Sequence, residues 1–146
     1  MYSGTTIGKK SGHLIGVHQR IDRIARRHVA SLIPDKVDFP AITQILHFEG
    51  NTGPDGIKRK SPSVDEPWHY IEPTKKHDRS LINMIIDHQT NLTKALKAKN
   101  SERASFEAAW LAHAIVDGLT PAHHIALGDK IEELFGIPHH ERLSVK

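Results

Sequence analysis

The chain has 146 residues, no cysteine, and a formal net charge of +3 from 20 Lys and Arg and 17 Asp and Glu residues. This length is typical of one domain with a single core, and a charge this small does not favour a dedicated nucleic-acid-binding protein. The lack of cysteine excludes disulfides, thiolate metal ligands and a cysteine nucleophile.

The sequence of the first third of the chain predicts two helices that follow a flexible N-terminal segment. Residues 1–12 are rich in Gly and Lys, and they have no apolar stretch of the kind that a signal peptide contains. From His13 to about Ile33, apolar residues recur at helical spacing, and Pro34 ends this helix. Pro40 can start a second, short helix that continues to about Phe48.

The remaining chain predicts one long loop and three more helices. Residues 49–77 carry three glycines and four prolines and are interpreted as a loop, which at this length is usually functional or disordered. Further helices are predicted at 78–99, 101–118 and 129–135. The second of these is apolar nearly all round and should be central. Because no alternating strand pattern occurs, the prediction is a single all-α domain over residues 1–146.

The stretch HAIVDGLTPAHH, residues 113–124, places three of the 12 histidines around one aspartate at the end of this central helix. His113 and Asp117 are four residues apart and share a helix face. Pro121 stops the helix, so His123 and His124 can return beside its end. An imidazole, a carboxylate and a third ligand returning from a turn suit zinc.

A structural reading of the same stretch stays open at this point. A buried histidine is often a hydrogen-bonded core residue, and a histidine near a helix C-terminus interacts favourably with the helix dipole. An aspartate at that end is opposed by the dipole, so Asp117 requires a counter-charge, which a metal ion supplies. The other histidines of the first helix, His18 and His28, lie beside its apolar stripe and are expected on the helix surface.

Several motifs together resemble the zinc-dependent phospholipase C and single-strand-specific nuclease superfamily. The pattern H-x3-D-x5-H ends the central helix, HLIGVHQRID resembles the family's first helix, PWHYIEP resembles its histidine-bearing loop, and GPDG supplies a loop aspartate 14 residues before that histidine. The ordered match covers residues 12–125. Val116 and Thr120 depart from the family's usual Gly and Gln. The resemblance implies a multi-helix bundle with a long ligand-bearing loop between its second and third helices.

By that resemblance, the chain binds two zinc ions, or up to three, through six ligands. These are His13, Asp55, His69, His113, Asp117 and His123. Asp117 would bridge two ions, one of which His13 also binds, and His123 would belong to a third site. Asp55 would also act as general base, and Trp68 and Tyr70 would line the substrate cleft.

Two departures from the family concern the outer metal sites. In the family, the mature N-terminal residue is a tryptophan that completes one site, whereas this chain begins with Met1. The family's H-x3-E pair after His123 is also missing, which indicates either C-terminal truncation or substitution by other residues. The candidate substitutes are His124, Glu132, Glu133 and His139.

The function implied by the resemblance is zinc-dependent hydrolysis of a phosphodiester, either a phospholipid or a single-stranded nucleic acid. The alternative is a metal-stabilised helical domain without catalysis, which the two departures favour. No apolar run reaches the roughly 20 residues that a transmembrane helix needs, and no stable protein partner is predicted. The family is mostly extracytoplasmic, although no signal peptide is evident in the sequence.

Overall fold

The architecture is all-α over the residues that the computed structural model describes, which are 16–49, 52–60, 71, 76–124 and 132–136. No strand occurs in these ranges, which confirms the predicted class. Five α-helices and a 3-10 turn follow in chain order: α1 Val17–Val29, α2 Ile42–His47, α3 Pro54–Lys60, α4 Ser80–Lys97, α5 Ser101–Gly118, and the turn Pro121–His123. Residues 132–135 are also helical, as the short last helix predicted.

Helix α5 is the centre of the described structure, as its apolar composition predicted. It packs along α4 on one side and against α1 and α2 on the other. Its alanines at 104, 108, 109 and 114 are buried, and their small side chains allow neighbouring helices to approach closely. Its bounds agree with the prediction, although the N-cap is Asn100, whose side-chain oxygen accepts a hydrogen bond from the Arg103 amide at 3.0 Å.

The pairing of α4 with α5 includes a buried polar contact. Glu107 is fully buried on α5, and its carboxylate is bound by His88 of α4 and by Arg103 one turn earlier on α5. An unpaired carboxylate at this position would cost several kcal/mol, and of its two partners His88 is the one that connects α4 with α5. None of the described helices combines the length and apolar composition that a membrane span requires.

Helix α3 corrects the prediction that residues 49–77 form one continuous loop. Pro54 is its first residue and Asp55 lies in its first turn, where proline has a suitable backbone angle and a negative charge interacts favourably with the helix dipole. The local signal was therefore present in the sequence PDG. Beyond α3, the structure describes only Ile71, Lys76 and His77 of this predicted loop.

Candidate metal centre

Two helices place a histidine and an aspartate on facing sides of the core. His18 and Asp22 lie one turn apart on α1, and His113 and Asp117 lie one turn apart on α5, so each pair shares a helix face. Glu49 follows directly after α2. All five side chains are buried. Two H-x3-D pairs and a glutamate therefore meet in the interior, and we call these five residues the acidic histidine cluster.

The centre of this cluster has the geometry of a metal-binding group. His18 Nε2 lies 3.2 Å from Asp117 Oδ1, and His113 Nε2 lies 3.3 Å from Asp117 Oδ2. The two imidazole rings are stacked, with centroids 4.0 Å apart and an angle of 16° between their planes. A tetrahedral zinc ion with bonds of 2.0–2.1 Å has ligand atoms about 3.3 Å apart. His18, His113 and Asp117 could therefore hold a metal ion.

Glu49 sets the orientation of the His113 ring. The Nδ1 of His113 donates a hydrogen bond to Glu49 Oε1 at 2.7 Å, because a carboxylate can only accept. With the proton on Nδ1, a neutral His113 directs the lone pair of Nε2 toward Asp117. Metal-binding histidines are commonly held in this way by a carboxylate on the opposite ring nitrogen, so Glu49 suits a supporting role behind the ligand.

Burial and the crowding of carboxylates shift two pKa values in the cluster. Burial by itself lowers the pKa of His113, but hydrogen bonds and charge attraction from Asp117 and Glu49 outweigh it and raise the pKa from 6.5 to about 10. Burial also raises the pKa of Asp22 from 3.8 to about 7, with a further contribution from the negative charge of Glu49, while His18 and His113 partly oppose the rise. The cluster thus favours a positive charge at His113 and disfavours a negative charge on Asp22.

Several polar atoms of the cluster have no hydrogen-bond partner among the residues that the structure describes. Within the described ranges, His18 Nδ1, Asp22 Oδ2 and Glu49 Oε2 are buried without a hydrogen-bond partner. Each such atom costs about 1–3 kcal/mol. Imidazole nitrogens and carboxylate oxygens together are a donor set that zinc and similar divalent cations accept. The chemistry of the donors therefore fits a divalent metal ion, although the three unsatisfied atoms are not themselves the ligand atoms of His18, His113 and Asp117.

His123 lies at the exposed edge of the cluster. The 3-10 turn brings its Nδ1 to 3.6 Å from Asp117 Oδ2, and 30% of its side chain is exposed. The amide of Ile71 donates to the His123 carbonyl at 3.4 Å, so the chain at residue 71 lies against this turn. His124 donates through Nε2 to the carbonyl of Gly118 at 2.9 Å and thereby holds the turn against the helix end. His123 is thus a partly exposed residue beside the buried cluster.

The predicted ligands divide into three groups in the structure. His113 and Asp117 belong to the metal-binding group, and His123 lies at its edge. Asp55 is half-buried on α3, and Glu132 and Glu133 are exposed; among the described residues, none of these three is part of the group. The remaining candidates lie outside the described residues: His13, Trp68, His69, Tyr70 and His139.

The expectation that His18 lies on the helix surface was wrong, whereas His28 is exposed as expected. The apolar pattern did not identify the buried face of α1. Val17 and Ile24 are more than half exposed, and the helix instead buries His18 and Asp22. The available signal was the repetition of H-x3-D in α1 and α5. Glu49 had no such signal, since it follows a short helix and belongs to no pattern.

Comparisons with known proteins provide no relative for this chain: no protein-family model, curated protein or solved structure matches it. The resemblance to the phospholipase C and nuclease superfamily therefore stays a prediction.

Proposed function

We propose that the protein is a zinc-dependent phosphodiesterase whose metal centre is built on the acidic histidine cluster. The observation that carries the proposal is the buried group of His18, His113 and Asp117, whose potential ligand atoms lie within 4.8 Å of one another, with the partly exposed His123 beside it. The resemblance of the motifs, which include His113 and Asp117, is the reason to propose phosphodiester chemistry.

Each residue of the cluster has a distinct role in this proposal. His18 and His113 would hold the ion through Nε2, and Asp117 would bind it with one oxygen or bridge two ions with both. A bound zinc ion would supply stabilisation of negative charge on the phosphate and a water made acidic enough to attack it near neutral pH. Glu49 would keep the proton of a neutral His113 on Nδ1, and His123, which is partly exposed, would hydrogen-bond a phosphate oxygen.

The number of ions and the general base rest on the resemblance. Two ions, or up to three, would require ligands such as His13 and His69, which lie outside the described residues. Asp55 stays the proposed general base. The substrate is a phospholipid or a single-stranded nucleic acid, which share the phosphodiester that such a centre would attack.

A second candidate is a helical domain that the cluster stabilises without catalysis. It is favoured by the hydrogen bonds of His113, because an imidazolium held by Glu49 and Asp117 forms a buried ion network without any metal. Such networks serve structure when every partner is satisfied. The unsatisfied atoms of His18, Asp22 and Glu49 argue against this reading.

Zinc content and hydrolysis, measured on the same preparations, separate the two candidates. We expect at least one zinc per chain by elemental analysis, and zinc-dependent release of p-nitrophenol from bis-p-nitrophenyl phosphate. Asp117→Asn, which keeps the shape of the side chain, and His18→Gln should lose both zinc and activity. His28→Gln, an exposed histidine on the same helix as His18, is the matched control and should retain both.

The outcomes assign the protein to one candidate. Zinc bound stoichiometrically without hydrolysis of phosphodiester substrates would favour the metal-stabilised domain. A folded protein that takes up no zinc, and whose behaviour is unchanged by Asp117→Asn, would overturn the proposal of a metal centre.

A further inference from the structure

The exposed side of α1 carries a stripe of apolar side chains. Val17 and Ile24 are 55% and 56% exposed, and Ile21 is partly exposed between them. Successive residues of an α-helix are rotated by about 100°, so these three lie within about 60° of one another on the helix surface. His18 and Asp22 lie on a different side, which is buried. Single exposed apolar residues are common on protein surfaces, but three at helical spacing form a continuous stripe.

Three arginines lie beside this stripe. Arg20, Arg23 and Arg27 are exposed, and their spacing of three and four residues places them along one line of the helix surface. Within the described part of the chain, none of the three takes part in an ion pair. Asp22, the acidic residue of α1, is buried. The stripe and the arginines together, which we call the outer face of α1, therefore combine apolar surface with unpaired positive charge.

We propose that the outer face of α1 docks onto the surface of an anionic lipid bilayer. The helix would lie parallel to the surface, with the apolar stripe at the boundary of the acyl chains and the arginines at the lipid phosphates. An arginine has an apolar stem, so its guanidinium can reach the headgroups while the stem packs beside the stripe. The inference goes beyond the phosphodiesterase proposal and does not rest on it, because no residue of the outer face belongs to the metal-binding group.

The composition of the outer face favours a lipid surface over two other partners. Proteins that bind single-stranded nucleic acid stack its bases on aromatic side chains, and α1 contains no Phe, Tyr or Trp. A two-fold contact between copies of the chain would bring two sets of the same arginines into one interface, where their charges repel. An anionic bilayer offers negative charge for the arginines and an apolar layer for the stripe, so it matches both parts of the face.

The test is co-sedimentation of the full-length protein with lipid vesicles. Vesicles of phosphatidylcholine alone are compared with vesicles that also contain about 30% phosphatidylserine, which supplies the negative surface potential. We expect saturable binding to the anionic vesicles only. Raising the salt concentration from about 0.1 M to about 0.5 M should weaken this binding at least about tenfold, because salt screens the charges. Asp117→Asn should bind the vesicles like the original protein, so this measurement is separate from the test of the metal centre.

Charge variants locate the contact on α1. One basic residue near an anionic surface contributes about fivefold to binding, so Arg20→Gln combined with Arg27→Gln should weaken binding roughly 25-fold. Lys94→Gln combined with Lys97→Gln removes the same charge from exposed positions of α4 and is the matched control, which should bind like the original protein. Circular dichroism establishes that each variant is folded. Arg27→Gln alone, with an expected effect of about fivefold, serves if the double variant does not fold.

Apolar variants test the second part of the face. Val17→Ser combined with Ile24→Ser should weaken vesicle binding at least about tenfold, because it removes apolar area that the bilayer would cover. Ile86→Ser combined with Leu119→Ser changes exposed apolar residues elsewhere and should have no such effect.

Three outcomes would overturn the inference. They are an absence of binding to anionic vesicles, equal binding to the two kinds of vesicle, and arginine variants that are folded and bind as tightly as the lysine control. A labelled single-stranded oligothymidylate tests the nucleic-acid alternative. If the protein binds this oligonucleotide through Arg20 and Arg27 and does not bind vesicles, the outer face is a nucleic-acid contact and the lipid proposal is wrong.

Discussion

Asp22 offers the most direct test of the electrostatics of the cluster. It is a buried carboxylate that faces the charge of Glu49, and its pKa is raised from 3.8 to about 7. The substitution Asp22→Asn keeps the shape of the side chain and removes its charge. We expect this change to stabilise the metal-free protein in alkaline solution far more than in mildly acidic solution.

The sign of the effect follows from the direction of the pKa shift. The folded state holds the proton of Asp22 more tightly than the unfolded state, so the penalty is absent below pH 3.8 and complete above about pH 7. One pKa unit corresponds to about 1.36 kcal/mol, so the full penalty is on the order of 4 kcal/mol. At pH 5 it is under about 2 kcal/mol, which leaves a difference of about 2 to 3 kcal/mol between pH 5 and pH 8.

The measurement is urea unfolding of the chelator-treated original protein and of Asp22→Asn at pH 5 and pH 8. The informative quantity is the change in the mutational effect between the two pH values, because any packing cost of the asparagine is common to both. Asp87→Asn, an exposed carboxylate on α4, provides the baseline for removing one negative charge from the surface.

A mutational effect on the free energy of unfolding that is the same at pH 5 and pH 8 would refute the reasoning. So would a larger stabilisation at pH 5 than at pH 8. Repeating the measurement with saturating zinc links the test to function, because a dication beside Asp22 would offset the charge of Glu49. The benefit of Asp22→Asn at pH 8 should then shrink.

Three further predictions concern zinc binding by the cluster. Glu49→Gln should weaken zinc binding by roughly 10- to 100-fold in competition titrations, because it removes the carboxylate behind His113, whereas Glu102→Gln at the exposed start of α5 should not. Gly53→Ala would place a Cβ 2.5 Å from the Glu49 carbonyl oxygen; we expect it to lower the free energy of unfolding by about 1–3 kcal/mol and to weaken zinc binding by displacing Glu49. His113 has a pKa of about 10 and is protonated at pH 8 in the metal-free protein, so zinc binding should release about one proton per chain. Calorimetry in buffers of different ionisation enthalpy measures the number of protons released. A value of zero would show that His113 is not a ligand.

The parts of the fold that could be predicted are those where one physical signal dominates. Helix α5 was predicted with its observed bounds, because an apolar segment between Asn100 and Gly118 has no competing interpretation. Helix α3 was missed because its glycine and prolines suggested a loop, although Pro54 and Asp55 are suited to a helix start. The glycine and prolines of this segment were given more weight than the preference of Pro54 and Asp55 for the first turn of a helix, and that preference was the correct guide.

Only some residues of the site could be predicted from the sequence, because burial was evident for one of its helices and not for the other. His113 and Asp117 were identified because they lie on a helix whose burial was evident from its composition. His18 was placed on a surface because an amphipathic helix is expected to bury its apolar stripe, whereas α1 buries a polar face against another polar face. Glu49 reaches the cluster through tertiary packing alone, and no pattern in the sequence encodes such a contact.

Protons and zinc ions compete for the same position in this cluster, and this competition connects its electrostatics with its proposed function. Asp117 and Glu49 raise the pKa of His113 because they stabilise a positive charge between them, and a divalent cation at Nε2 would satisfy the same field with twice the charge. Burial and the negative charge of Glu49 raise the pKa of Asp22, so the metal-free cluster disfavours a further ionised carboxylate. A core evolved only for stability gains nothing from a third buried carboxylate, since its desolvation is not repaid. The excess of acid over base is instead the feature that a cation site requires, and it is the physical reason to favour metal binding over a closed ion network.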